Sequence, residues 1–345
     1  MTMTCAPQIL PLRPLALMML LALAACATTP PIAPAPPVPR PEMPPDDDAA
    51  EQAQLRKARA ERNRAANAAA ADAVSRASVT TIAQQEFYAQ AEAQLLAHAK
   101  LRRDRVPQDA PIDAEMLTRN FLAIALRDEY ARDGGQMVQG GGAAPLRRWQ
   151  EPVRMQLEFG TATDVATRRS VRVEVADFAN RLSAASGHPV GLTDSGGNFV
   201  VLVLNDDERR AIGPRLQELV PGIPAQDVAL IRDLVPDNFC TVFAYSQGAS
   251  PVYSRAVALI RTELPPLLRS SCFHEELAQG MGLANDSPEA RPSIFNDDEE
   301  FGLLTRHDEL LLKILYDRRL RPGMTEAEAA PIVRQIAGEL LGEQT

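Results

Sequence analysis

Apolar positions are spread unevenly along this chain. Residues 15–22, Leu-Ala-Leu-Met-Met-Leu-Leu-Ala, form one short apolar run. Nine prolines then fall between Pro30 and Pro45. From Ala49 to residue 77 alanine is mixed with charge, and Leu55 is the only large apolar side chain before Val74. Helical spacing begins near Ile82, where Phe87, Leu95 and Leu96 predict an amphipathic helix ending near Arg105-Val106-Pro107. A second helix is expected after Asp113, with Met116, Leu117, Phe121, Ile124, Ala125 and Tyr130 on its apolar side. Glycines at 134–135 and 140–142 interrupt the pattern and mark the expected main domain boundary.

Beyond the glycines the period changes. Val153, Met155, Leu157 and Phe159 alternate with polar residues, as one face of a strand does. Residues 166–185 read as a helix and Val190–Leu192 as a short strand. Phe199–Leu204 is continuously apolar, which fits a strand covered on both faces. Asn205-Asp206-Asp207-Glu208 has the form of a helix N-cap with a glutamate three residues on. Strands are expected at 240–245 and 254–262, and helices at 267–283, 305–316 and 325–341. The fold class is therefore α+β, a mixed sheet with packed helices.

The first apolar run is too short to span a bilayer, and Arg13 precedes it as a basic flank, so it reads as a signal peptide. Leu23-Ala24-Ala25-Cys26 resembles the bacterial lipobox, a branched residue and two small ones before the cysteine that is lipidated. That resemblance implies removal of residues 1–25 and lipidation at Cys26. It also implies a lipid-anchored place in the cell envelope, facing the periplasm. Ala27 is not the aspartate that retains lipoproteins at the inner membrane, so the outer membrane is favoured. Residues 26–48 are expected to be a disordered, polyproline II tether at about 3.1 Å per residue. Residues 49–78 are expected to be an alanine- and charge-rich helical spacer with little to bury. A helical subdomain (79–133), a glycine-rich loop (134–149) and a final domain (150–345) complete the expected division.

Charge narrows the partners. The net charge of −9 becomes −10 once Arg13 leaves, which argues against nucleic acid and against docking on anionic lipid. The bilayer is thus contacted through the lipid on Cys26. Of the four cysteines, Cys5 leaves with the leader, and Cys240 and Cys272 remain as an even pair in a compartment where disulfides persist. A bond between them would join the edge strand to the following helix; two free buried thiols are the alternative.

The most informative stretch is His274-Glu275-Glu276-Leu277-Ala278-Gln279-Gly280-Met281-Gly282-Leu283-Ala284-Asn285-Asp286. A zincin motif beginning at His274 fails, because its second histidine would be Ala278. One residue later the stretch resembles the metzincin pattern His-Glu-x-x-His-x-x-Gly-x-x-His. Glu275, Gln279 and Asn285 then occupy the ligand positions, Glu276 the general-base position and Gly282 the helix-ending turn. Phe295 falls where the methionine of the metzincin turn would lie, and Leu304–Tyr316 resembles the closing helix. The resemblance covers about residues 150–320 and implies a zincin-like fold. Its order is strand, helix, strands, an edge strand, a last strand and the motif helix.

The chain also resembles a bacterial lipoprotein family catalogued as a domain of unknown function (DUF2927). Glu275–Gln279, Gly282–Asp286, Ser293–Asp297 and Leu320–Met324 carry that resemblance. Neither likeness implies an activity here, because one carboxylate and two amides make a poor zinc set. Without zinc, Glu276 has no metal-bound water to deprotonate. Buried hydrogen bonding is the plain role for Gln279 and Asn285. Oxygen ligands from Glu275, Gln279, Asn285 and Asp286 would suit calcium better than zinc. The sequence thus predicts a non-catalytic module with no metal and no cofactor, binding an envelope protein or cell-wall component. The alternatives are a hydrolase of peptide or cell-wall bonds using Glu276, and a spacer between membrane and wall. His98, His188, His274 and His307 are scattered, and Tyr245-Ser246-Gln247-Gly248 is not a nucleophile elbow.

Overall fold

A computed structural model describes residues 79–128, 130–133, 136–139, 142–296 and 298–342, with isolated positions 54, 57, 58 and 61. The leader, Cys26, the tether and all but those four positions of the spacer lie outside the described residues. Asp297 of the acidic run does too. Residues 56–345 form one unit.

The order is α1 (Val79–Ala97), α2 (Ala114–Ala125), β1 (Tyr130–Asp133), β2 (Gln136–Gln139), β3 (Arg148–Trp149) and β4 (Val153–Phe159). Then come α3 (Val165–Ser186), β5 (Val190–Thr193), β6 (Phe199–Leu204), α4 (Asp206–Ala211), α5 (Gly213–Leu219) and α6 (Ala225–Arg232). The chain closes with β7 (Cys240–Ser246), β8 (Val252–Arg261), α7 (Pro266–Gln279), α8 (Arg306–Leu315) and α9 (Glu326–Leu341). Among the described residues no helix is long and apolar enough to cross a membrane.

The main sheet runs β7-β8-β6-β4-β5, and β3 also pairs with β8. All pairings are parallel except that of β7 with β8. The mixed sheet with packed helices agrees with the α+β expectation. Helices cover it on both faces, and β6 shows why. Phe199, Val201 and Val203 point into the larger core, while Val200, Leu202 and Leu204 point into a smaller one. The larger core takes apolar faces of α2, α3, α7, α8 and α9, and the smaller is closed by Leu216 of α5 and Val228 and Ile231 of α6. A strand with both faces buried needs no polar alternation. On β4, Val153 and Met155 are buried while Arg154 is exposed, so that strand keeps the period of two.

Several caps form as their sequences require. Asp113 caps α2, accepting from the Met116 N–H at 2.7 Å. Asn205 and Glu208 form a reciprocal capping box at α4, and Thr305 with Asp308 does the same at α8.

The structure departs from the expected division in three places. The first helix ends at Ala97, eight residues before Arg105, because Ala99 and Leu101 adopt φ of 55° and 56°. The Leu101 N–H then donates to the Glu299 carbonyl at 2.7 Å, stitching this turn to the C-terminal half. The second helix ends at Ala125, short of Tyr130, which lies in the hairpin β1–β2. The stretch 134–149 is no boundary either. It holds β2 and β3, and α2 packs on α8 and α9 rather than forming a separate helical subdomain.

At the carboxyl ends of β6 and β8 lies a buried ionic cluster. Arg209 donates to Asp206, and Arg210 reaches the same carboxylate at 2.8 Å. Arg261 donates to the carbonyls of Leu234 and Val235 at 2.9 Å each. Glu263 accepts from the Asp206 N–H at 2.6 Å. Tyr88 of α1 sits against this cluster, its ring centroid 5.9 Å from the Arg261 guanidinium, and burial pushes its phenol up to about 12. Burial alone would raise the Asp206 carboxyl, but hydrogen bonds from Arg210, Arg209 and Gln84 outweigh it and bring it down to about 2.

Candidate functional site

Helix α7 starts with Pro266 in its first turn and has no side-chain cap from Pro265. One side of it, with Leu268, Phe273 and Leu277, is buried in the larger core. Glu275, Glu276 and Gln279 lie on another side and line a cleft of about 940 Å³. The neighbouring strand β7 with the residue before it, from Phe239 to Ala244, lines it too. Among the described residues, β7 pairs with a strand along one edge only. A disulfide between Cys240 of β7 and Cys272 of α7 ties the walls together, with the Cα atoms 5.9 Å apart. The bond joins the edge strand to the motif helix, as one of the two expectations for this pair had it.

The residues singled out by sequence divide. Glu276 is buried at 5% exposure on the cleft wall, beside Glu275. Gln279 is also buried, and its amide lies 3.4 Å from both oxygens of Asp286, which lines the cleft as well. Asn285 is elsewhere. Its side-chain N–H donates to the Ala123 carbonyl at 2.8 Å and its backbone N–H to the Ile124 carbonyl at 3.1 Å. Those are orphan carbonyls in the last turn of α2, so Asn285 serves as an external C-cap. Three of the four motif residues thus share the cleft, and the fourth holds a neighbouring helix.

The turn after α7 depends on two glycines. A Cβ on Gly280 would stand 2.4 Å from the Phe199 ring, and the Gly280 carbonyl accepts from Trp149 Nε1 at 2.8 Å. Gly282 has φ of 123°, and a Cβ there would meet the Arg147 carbonyl at 2.4 Å. Only glycine fits this close passage of helix end against chain. Phe295 is fully buried, and its N–H donates to Ser293 Oγ, which in turn donates to Asp308.

Sequence reasoning missed the cleft's cation. Arg147 forks onto Asp128 at 2.6 and 3.1 Å, and both line the cleft. That hydrogen-bonded pairing holds the guanidinium charged more firmly than usual. Burial pushes the neighbouring Tyr253 phenol up, so it stays neutral as part of the floor. Asp237, Glu275, Glu276, Asp286 and Glu299 add five more carboxyl groups to the lining. The single tryptophan was the available signal: Trp149 anchors on Gly280, and Arg147 stands two residues before it.

The histidines take no part in the cleft. His274 stacks on Phe178 at 4.0 Å and accepts from the Leu304 N–H at 2.9 Å. Burial, with the nearby Arg181 charge, brings its pKa down to about 3. His307 is buried against Asn120, at 3.0 Å, so these two histidines have different partners. His188 packs on Tyr316 and its Nε2 is 2.9 Å from the Glu151 carbonyl; burial lowers its pKa. His98 lies on the surface, 2.8 Å from the Gln94 carbonyl.

A family model described as "Protein of unknown function (DUF2927)" matches residues 114–335, which takes in both walls of the cleft. No curated protein and no solved structure matches the chain.

Proposed function

Since the chain belongs to the DUF2927 family, whose description names no activity, we propose from the cleft itself that this is a non-catalytic binding module. Its occupant is an extended, basic segment of another cell-envelope protein. The segment lies along the outer edge of β7 with its cationic side chains toward α7. The carrying observation is that an edge strand and several carboxyl groups line one cleft. An exposed strand edge offers main-chain donors and acceptors to an added strand. The excess of carboxyl groups over Arg147 in the lining sets the charge of what fits.

The reading includes a degenerate metallopeptidase scaffold. Support comes from the succession of strand, helix, two strands, three short helices, an antiparallel edge strand, a last strand and the cleft helix. Glu275, Gln279 and Asn285 at the ligand positions support loss of zinc chemistry, since Asn285 is committed to α2. The reading also places the chain as a lipoprotein. It is held through lipidated Cys26, with the module facing the periplasm and the outer membrane as the favoured site. The acidic composition supports a partner other than nucleic acid.

The test is fluorescence anisotropy with a labelled lysine-rich peptide of extended conformation, and with the same peptide N-methylated at alternate backbone nitrogens. Binding should weaken as salt rises and fall about tenfold or more, ~1.4 kcal/mol, on N-methylation. Equal affinity for the two peptides would overturn strand addition. Binding of a cell-wall muropeptide instead would move the partner to the wall. Cleavage of the peptide that vanishes in Glu276→Gln would overturn the non-catalytic reading in favour of a hydrolase.

A further inference from the structure

The disulfide ends inside a set of metal donors. The Cys240 sulfur, one Glu275 carboxylate oxygen and one Glu276 carboxylate oxygen all lie within 4.8 Å of one another. The arrangement follows from the helix. Glu275 and Glu276 stand three and four residues after Cys272, so their side chains lean back over the turn that carries the bond. The sulfur comes from a different element, the wall strand β7. Ligand atoms around a tetrahedral zinc ion, bound at about 2.0–2.3 Å, sit about 3.3–3.8 Å apart. A spacing of up to 4.8 Å has to close by about 1 Å to reach that geometry once the sulfur is released.

We infer that reduction of Cys240–Cys272 converts this wall of the cleft into a binding site for a zinc-like divalent cation, with Cys240, Glu275 and Glu276 as ligands. The reductant is a dithiol. It gives up two electrons, its sulfurs close into their own disulfide, and Cys240 and Cys272 take up its two protons as thiols. The cation then displaces the Cys240 proton to solvent and bonds the thiolate. One thiolate and two carboxylates suit zinc or cobalt(II), whereas calcium takes six to eight oxygens. In the oxidised chain the sulfur's pairing electrons are held in the S–S bond and the site lacks its strongest donor. The site is independent of the peptide reading, which concerns the oxidised chain without metal.

The experiment is anaerobic titration of the whole chain with cobalt(II), followed by absorbance. Three samples are compared: oxidised chain, chain reduced with a dithiol and freed of it by gel filtration, and Cys272→Ser without reductant. A thiolate-to-cobalt charge-transfer band saturating at one equivalent is expected in the second and third and not in the first. It should vanish when Cys240→Ser is added, and Glu275→Gln or Glu276→Gln should weaken binding at least tenfold. Far-UV circular dichroism checks folding of each variant, and the reduced wild-type chain decides the matter should Cys272→Ser misfold. No band in the reduced chain, or a band indifferent to both glutamate changes, overturns the inference.

Discussion

Glu92 of α1 accepts a hydrogen bond from the Leu268 backbone N–H at 2.9 Å, so the cleft helix is capped from 176 residues away. Pro265 supplies no side-chain cap of its own. A carboxylate at a helix N-terminus also meets the positive end of the helix dipole. Glu92→Ala should therefore lower stability by about 0.5–2 kcal/mol, and Glu92→Gln by less because an amide oxygen still accepts. Urea unfolding of the three proteins checks this; equal midpoints would remove Glu92 from the stability of α7.

His274 gives the fold an acid-sensitive element. Its folded pKa of about 3 lies well below the ordinary value of 6.5, because burial disfavours the imidazolium. The unfolded chain therefore binds more protons between those values, and stability rises with pH across that window. The contribution is complete above pH 6.5 and is lost as pH falls toward 3. His274→Gln should flatten that part of the acid limb, while costing about 1–3 kcal/mol at pH 7 if the Leu304 N–H is left unsatisfied. Urea midpoints at pH 7 and pH 4 in both proteins measure the two effects.

Gly282→Ala should be among the costly single changes near the cleft. It combines a φ of 123° with a 2.4 Å approach to the Arg147 carbonyl. The strain alone is of order 1–3 kcal/mol. Because Arg147 lines the cleft, the backbone shift should also alter peptide binding. A thermal melt within a degree of wild type would contradict the packing argument.

Asp206→Asn should cost about 3–5 kcal/mol, since it leaves Arg209 buried beside a neutral group. Equilibrium unfolding at neutral pH reads the loss directly. Protonation of the wild-type carboxyl should cost less, about 2 kcal/mol, and only below pH 4, as it titrates toward its lowered value of about 2.

How far the sequence was legible depended on the range of the interactions involved. β6 and the Asn205 capping box were readable because period, burial and local hydrogen bonds agree within a few residues. Helices α5 and α6 were passed over: they are seven and eight residues long and have no side-chain cap. The end of α1 was misplaced because Ala99 and Leu101 carry positive φ without a glycine to announce it. In the cleft, Glu275, Glu276 and Gln279 were found from motif spacing. The assignment of Asn285 to α2 rests on contacts 162 residues apart, which no local pattern encodes. Arg147 stayed hidden for the same reason, since Asp128 and the Gly282 passage meet it only in three dimensions.

The Cys240–Cys272 bond closes β7, β8 and the first half of α7 into a covalent ring. Glu275, Glu276 and Gln279 lie just beyond that ring on the same helix, so the bond pins their helix to β7 one turn before the cleft's carboxylates. The shape of the cleft is thereby coupled to the redox state of one bond.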